Sequence, residues 1–280
     1  MKRAAIVIAV LGMCAWSFGQ DKTAQSTPAA GQTQPVPAGK RPPQAKTQPE
    51  FEAYKAAMVL NDGASAEKAA ADFATKYPDS ELRVVLYKSA MQKFQQANDA
   101  DKMMDMAQKA LTYDPDDPEA LVGVAQVLTE RTRDTDLDKD QRLAEAKKDA
   151  ERALATVDTD LPTTGYPADK LDQFKRYMRS EAYAVIGTLA SNGERWPEAE
   201  TNLRKSIDVF PEQVDPVAVL RLAIALDKQN KTAEALKYAN QAVDLTKDRA
   251  DSAAGKAARA EQDRLTKLSS GTAPGQNSPK

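Results

Sequence analysis

The stretch at 183–211, YAVIGTLASNGERWPEAETNLRKSIDVFP, decides the fold. Tyr183, Ile186, Gly187 and Ala190 recur at three- and four-residue spacing, which places them on one face of a helix. Ala199, Leu203 and Ser206 repeat that spacing on a second helix, and Pro211 ends it. Gly187 and Ala199 are small, so the two helices are expected to approach closely there. Trp196 stands just before the second helix. The unit is therefore a pair of antiparallel helices with one shared apolar face.

The same order recurs along the chain. With Pro115 in the place of Pro211, the slots hold Tyr87, Ala90, Met91 and Phe94, then Met103, Ala107 and Ala110. The next pair carries Leu121, Val124, Ala125 and Leu128, then Ala146, Ala150 and Ala153, with about nine extra residues between its helices. A later pair carries Val219, Leu222, Ala223 and Leu226, then Ala235, Ala239 and Ala242. A degenerate first pair ends at Pro78 in KYPDS. Helix starts are marked by Asp117-Pro118-Glu119 and Asp215-Pro216, which combine a capping carboxylate with a first-turn proline. Ser65 and Ser80 precede two further helical runs.

These slots resemble the tetratricopeptide-repeat (TPR) unit of about 34 residues, and KYPDS is similar to repeat endings in periplasmic TPR proteins of the bacterial cell envelope. The resemblance implies an all-α, TPR-like α-solenoid of about five helix pairs over residues 50–247. Since no pair can bury its apolar face alone, the pairs stack. Residues 248–268, with Ala254, Ala257, Ala258, Leu265 and Leu268 on one face, read as a C-terminal capping helix, and residues 269–280 as a disordered tail. Two departures disturb the regularity. One is the insertion at about 130–140. The other is a long connection from Asp158 to Asp169, followed by a helix over about 169–191 that is longer than a TPR first helix.

Residues 1–19 have the order of a secretory signal peptide: Lys2 and Arg3, an apolar run from Ala4 to Cys14, then Ser17-Phe18-Gly19. Cleavage after Gly19 would move the net charge from −2 to −4 by removing Lys2 and Arg3. The alternatives are an uncleaved anchor and lipidation of Cys14, against which the bulky Met13 speaks. An exported protein, periplasmic or extracellular, without membrane insertion after cleavage, is the expectation. Residues 20–49 are rich in Pro, Gln and Thr and have Val36 as a lone large aliphatic residue before the repeats, so they read as a disordered tether.

Composition narrows the chemistry. The chain has no histidine, and its single cysteine is Cys14 in the leader. This removes the usual neutral-pH base, the thiolate nucleophile and the common zinc ligands. Charge near neutrality gives no electrostatic reason to bind nucleic acid. No catalytic residue, cofactor or metal is expected. The insertion carries Asp134, Asp136, Asp138, Asp140 and Glu145 at the spacing of a calcium loop, but Lys139 occupies the position that needs glycine. It therefore reads as a solvated, helix-capping acidic loop. Tyr87, Tyr183 and Trp196 occupy packing slots and read as core.

The TPR resemblance implies a concave groove lined by first helices. Counted from the slots above, its candidate residues are Lys88, Gln92, Gln95, Gln96, Gln126, Thr129, Thr188 and Asn192. Val122, Glu130, Ala184 and Ser191 fall on the same inner positions. Long amides suit the main-chain groups of an extended peptide. The expected function is a scaffold or adaptor binding a protein or peptide partner. An envelope enzyme using carboxylates and a structural spacer without a ligand are the alternatives.

Overall fold

The computed structural model describes residues 40–161 and 167–270. The expected leader at 1–19, the first twenty residues of the expected tether and the tail from residue 271 lie outside them. Eleven α-helices occur in the described residues: α1 Gln48–Met58, α2 Gly63–Lys76, α3 Leu82–Gln96, α4 Ala100–Tyr113, α5 Pro118–Arg131, α6 Lys139–Thr156, α7 Ala168–Asn192, α8 Trp196–Val209, α9 Pro216–Asp227, α10 Thr232–Leu245 and α11 Ala253–Ser269. They pack as five consecutive pairs, and α11 closes the array against α10 and α9. The architecture is an all-α, TPR-like solenoid.

Recurring turns set the pairs. Between α3 and α4, α7 and α8, and α9 and α10, one residue adopts the left-handed conformation: Asn98, Glu194 and Asn230. Each turn closes with the same main-chain bond, from Asp99 N to Phe94 O, Arg195 N to Ala190 O and Lys231 N to Leu226 O, at 2.9–3.0 Å. This is the bond pattern of a helix end that reverses direction, and it satisfies carbonyls the helix leaves open. The third pair replaces that turn with the insertion between α5 and α6.

Packing follows the sequence slots. Ala190, Ala199, Leu203, Leu222 and Leu226 are fully buried. At Gly187, a Cβ would lie 2.7 Å from Leu203 Cγ and 3.2 Å from the Leu203 backbone nitrogen, so α7 and α8 touch backbone to side chain there. Ser206, a polar departure from the apolar pattern, is buried, and its carbonyl accepts a bond from Ser180 Oγ at 2.9 Å. Tyr87 is buried and stacks on Tyr113, while Tyr183 and Trp196 are half-buried at their repeat junctions.

Caps agree in part with the sequence signals. Asp117 accepts from Ala120 N at 2.9 Å, and Asp215 from Val217 N and Ala218 N at 2.9 and 3.2 Å. Ser65 does not start a helix. α2 begins earlier, because Asp62 caps it by accepting from Ser65 N at 2.8 Å. The N-terminal segment also differs from the expected tether through residue 49. Lys40 pairs with Asp114 at 2.5 Å, Arg41 pairs with Glu81, and Thr47 caps α1. Those charges and that cap hold residues 40–49 on the repeats although their composition is poor in apolar side chains.

First helices also touch one another: α1 with α3, α5 with α7, α7 with α9, and α9 with α11. Among the described residues the second helices show no comparable contact. From α5 onward the first helices therefore form the inner, more tightly spaced row, while α3 and α5 meet through side chains.

Candidate functional site

The inner row carries a chain of polar contacts that crosses from repeat to repeat. At the junction of α3 and α5, Lys88 Nζ sits 2.8 Å from Asp117 and 2.9 Å from Glu119. Gln92 Nε2 donates to the same Glu119 at 2.6 Å. Burial opposes the charge of Lys88, but the two carboxylates outweigh it and hold the ammonium above the ordinary lysine range. The cluster is thus a tie between two repeats in which two carboxylates share one ammonium.

At the next junction the plan is repeated with a difference. Gln126 of α5 occupies the slot of Gln92 and donates to Glu181 of α7. Glu181 stands in its repeat where Glu119 stands in the preceding one. Its carboxyl is pushed up to about 8, first by burial and then by Asp215 and Glu130, against the opposing bond from Gln126. The Glu130 carboxyl is also raised, by burial first, with Arg221 and Arg131 opposing. The Tyr177 hydroxyl is raised by burial and by Glu181, Glu119 and Asp215. Arg221 of α9 is shifted the other way: burial lowers it, and Asp215 and Glu130 restore part of the loss. Glu130 of α5, Tyr177 and Glu181 of α7 and Arg221 of α9 thus act on one stretch of the inner face, where Glu130 is exposed and the other three are half-buried.

The eight groove candidates separate on this geometry. Gln92, Gln96 and Asn192 are exposed, and Lys88, Gln95 and Gln126 are half-buried. Lys88, Gln92 and Gln126 are engaged in the ties just described. Thr129 and Thr188 are corrected: both are buried, and Thr129 Oγ1 donates to Ala125 O at 2.7 Å within its own helix. The α5–α7 and α7–α9 contacts cover them, because the first-helix row packs more tightly than a regular repeat count assumes. Ser191 likewise donates to Gly187 O at 2.9 Å. The sequence reading placed Glu130 on the inner face but passed over Glu181 and Arg221, and took Asp215 only as a cap. Glu181 was within reach, since it repeats the slot of Glu119.

The insertion disposes of its acids locally. Asp134 pairs with Lys139 at 2.8 Å, and Asp136 accepts from Arg133 N at 2.9 Å. Among the described residues no group of three acidic, cysteine or histidine side chains is arranged to hold a metal, and no helix is long and apolar enough to cross a membrane.

No family model matches the chain, and no curated protein matches it. Among solved structures it is similar to the "Assembly Chaperone of RpL4 (Acl4) (Residues 1-338)", at 16% identity and a TM-score of 0.39, over 80% of this chain and 99% of that one. At that identity and TM-score the likeness carries no argument about what this chain binds.

Proposed function

We propose that the protein is an exported TPR scaffold that binds a protein or peptide partner along the inner face of its first helices. One observation carries this reading: polar side chains of successive first helices meet on that face, Lys88 and Gln92 on Glu119 and Gln126 on Glu181, while the packing slots behind them are apolar and full. The function is binding, without catalysis, cofactor or nucleic acid. The side chains of Gln95, half-buried, and Asn192, exposed, make no hydrogen bond among the described residues and are available to a ligand's main chain.

The test is capture of partners from envelope extract by the mature protein, compared with a variant carrying Gln95→Ala and Asn192→Ala. The variant leaves every packing slot intact and should keep its melting temperature. Two lost hydrogen bonds at about 1 kcal/mol each should weaken binding by about thirtyfold. Retention of every partner at unchanged affinity would place binding elsewhere. Intact mass of the exported protein should start at Gln20, and a chain retaining Met1 would refute the leader.

A second reading, an envelope enzyme working with carboxylates, draws on Glu181, whose raised carboxyl is what a general acid requires. Release of reducing sugar from cell-wall glycan by the mature chain, lost in Glu181→Gln, would favour it over binding.

A further inference from the structure

Residues 40–47 are held on the repeats as a bound peptide would be. They form no helix before Gln48 and touch the first three helix pairs. Just past the end of α6, Lys40 N donates to Thr159 O at 2.9 Å. The Lys40 ammonium lies 2.5 Å from Asp114, the C-cap of α4, and 3.5 Å from Asp160. Both terminal nitrogens of Arg41 bond to Glu81, and Gln44 N donates to the same carboxylate at 3.3 Å. In the turn after α2, Asp79 O accepts from Lys46 Nζ at 2.8 Å. The C-terminal ends of α2, α4 and α6 therefore lie along one edge of the array, and one extended segment follows it.

Two sources of negative charge add on this edge. Each helix C-terminus carries the negative end of its macrodipole, and Glu81, Asp114 and Asp160 stand beside them. Among the described residues these three carboxylates form ion pairs with the segment alone. The neighbouring cations are engaged elsewhere: Arg152 pairs with Asp116 at 2.6 Å, and Arg83 lies over the Tyr113 ring and donates to Ser80 O. The segment supplies Lys40, Arg41 and Lys46, and Pro42-Pro43 favour its extended form. It contains no large apolar side chain to anchor it, and the Lys40 and Arg41 side chains are 38% and 63% exposed. Ion pairs so exposed are weak and screened by salt. Covalent attachment to α1 compensates, because it holds the segment at an effective concentration on the order of millimolar.

We propose that the edge formed by the ends of α2, α4 and α6 is a second binding surface, for an extended, basic, proline-containing segment of a protein partner, and that residues 40–47 cover it as an internal competitor. This surface is separate from the inner face of the first helices and does not depend on the reading of that face as a groove. The partner's cations take the places of Lys40 and Arg41 against Asp114, Asp160 and Glu81. One of its main-chain N–H groups takes the place of Lys40 N on Thr159 O. Prolines serve such a ligand because a pre-extended chain loses little freedom when it docks. The partner and the protein's own segment compete for the same carboxylates, so a partner binds only as residues 40–47 leave.

The experiment uses the full mature chain and a fluorescein-labelled peptide with the sequence of residues 39–47, GKRPPQAKT. Its controls are the same peptide with alanine for the first lysine and the arginine, and a scrambled peptide of the same composition. Lys40→Ala with Arg41→Ala, in the full mature chain, releases the internal segment without touching the core. Fluorescence anisotropy should show this variant binding the peptide at least about tenfold more tightly than the wild type, because the tethered competitor is gone. Binding should weaken as salt rises from about 0.05 to about 0.5 M, and both control peptides should bind at least about tenfold more weakly. Adding Glu81→Gln and Asp114→Asn to the released variant should remove binding; should that protein fail to fold, the control peptides decide alone. Adding Gln95→Ala and Asn192→Ala instead should leave the affinity unchanged. No binding by the released variant, equal affinity in wild type and released variant, or a control peptide that binds as tightly would each overturn the proposal. So would binding that survives loss of Glu81 and Asp114, or that is lost with Gln95 and Asn192.

Discussion

Gly187 offers the most direct test of the repeat packing. A Cβ placed on it would lie 2.7 Å from Leu203 Cγ, 2.9 Å from Leu203 Cδ2 and 3.2 Å from the Leu203 backbone nitrogen. Carbon atoms in good contact sit at about 3.5–4.0 Å, so the shortfall approaches 1 Å. A new rotamer of Leu203 would relieve two of the three contacts, but the third is backbone, and Leu203 is fully buried with no space to turn into. The helices α7 and α8 must therefore separate. Overpacking of this kind costs about 1–3 kcal/mol. Against it stands the gain of about 1 kcal/mol in helix propensity for replacing glycine by alanine. Gly187→Ala should thus be destabilising by about 1–2 kcal/mol, and Gly187→Leu by about 3 kcal/mol or more. Gly123→Ala is the internal control, because its Cβ would meet the flexible ends of Met103 and Met91 at 3.3 Å, so the propensity gain should leave it neutral or stabilising. Gln96→Ala, exposed, should be near neutral. Thermal melts followed by circular dichroism would separate Gly187→Ala from both controls by several degrees. Combining Gly187→Ala with Leu203→Ala should be less damaging than the sum of the two, since each makes room for the other. Melts of Gly187→Ala and Gln96→Ala that coincide, or strict additivity in the double variant, would refute the contact.

Two further predictions concern the inner face. Lys88→Met removes the shared cation of Asp117 and Glu119 and leaves two carboxylates facing each other in a partly buried site, so urea midpoints should show a loss of about 3–5 kcal/mol; a loss under about 1 kcal/mol would mean the tie contributes little. Glu181 is raised in the folded protein from the model-peptide value of 4.5 to about 8, so the stability it contributes is present below about 4.5 and is lost as pH rises through 8. The melting temperature of Glu181→Gln, which keeps the bond to Gln126, should therefore exceed that of the wild type by a margin that grows from pH 5 to pH 9, and a constant margin would show that the carboxyl is not desolvated.

Most of the fold was legible because the repeat writes each contact several times. A slot such as that of Ala190 or Leu203 recurs, so one degenerate position does not hide the pattern, and the helix pairs, the long α7 and the interrupted third pair follow from spacing alone. Positions that depend on how tightly repeats stack were not legible. Thr129 and Thr188 were placed on the surface by counting along one helix, but their burial is decided by the next first helix, whose approach no single helix encodes. The N-terminal segment shows a related failure. Its composition argues for disorder, yet Lys40 and Arg41 find Asp114 and Glu81, 74 and 40 residues away in the chain. Local composition cannot report such long-range pairs. The difference between Glu119 and Glu181 belongs to the same class. Each is an ordinary acidic residue by itself, and both are supported by a glutamine from the preceding repeat. What separates them is whether that repeat supplies lysine or valine one helical turn before the glutamine. The internal repetition that reveals the fold thus also supplies a reference for reading it: aligned slots show that one junction has a lysine for its glutamate and the next has a valine.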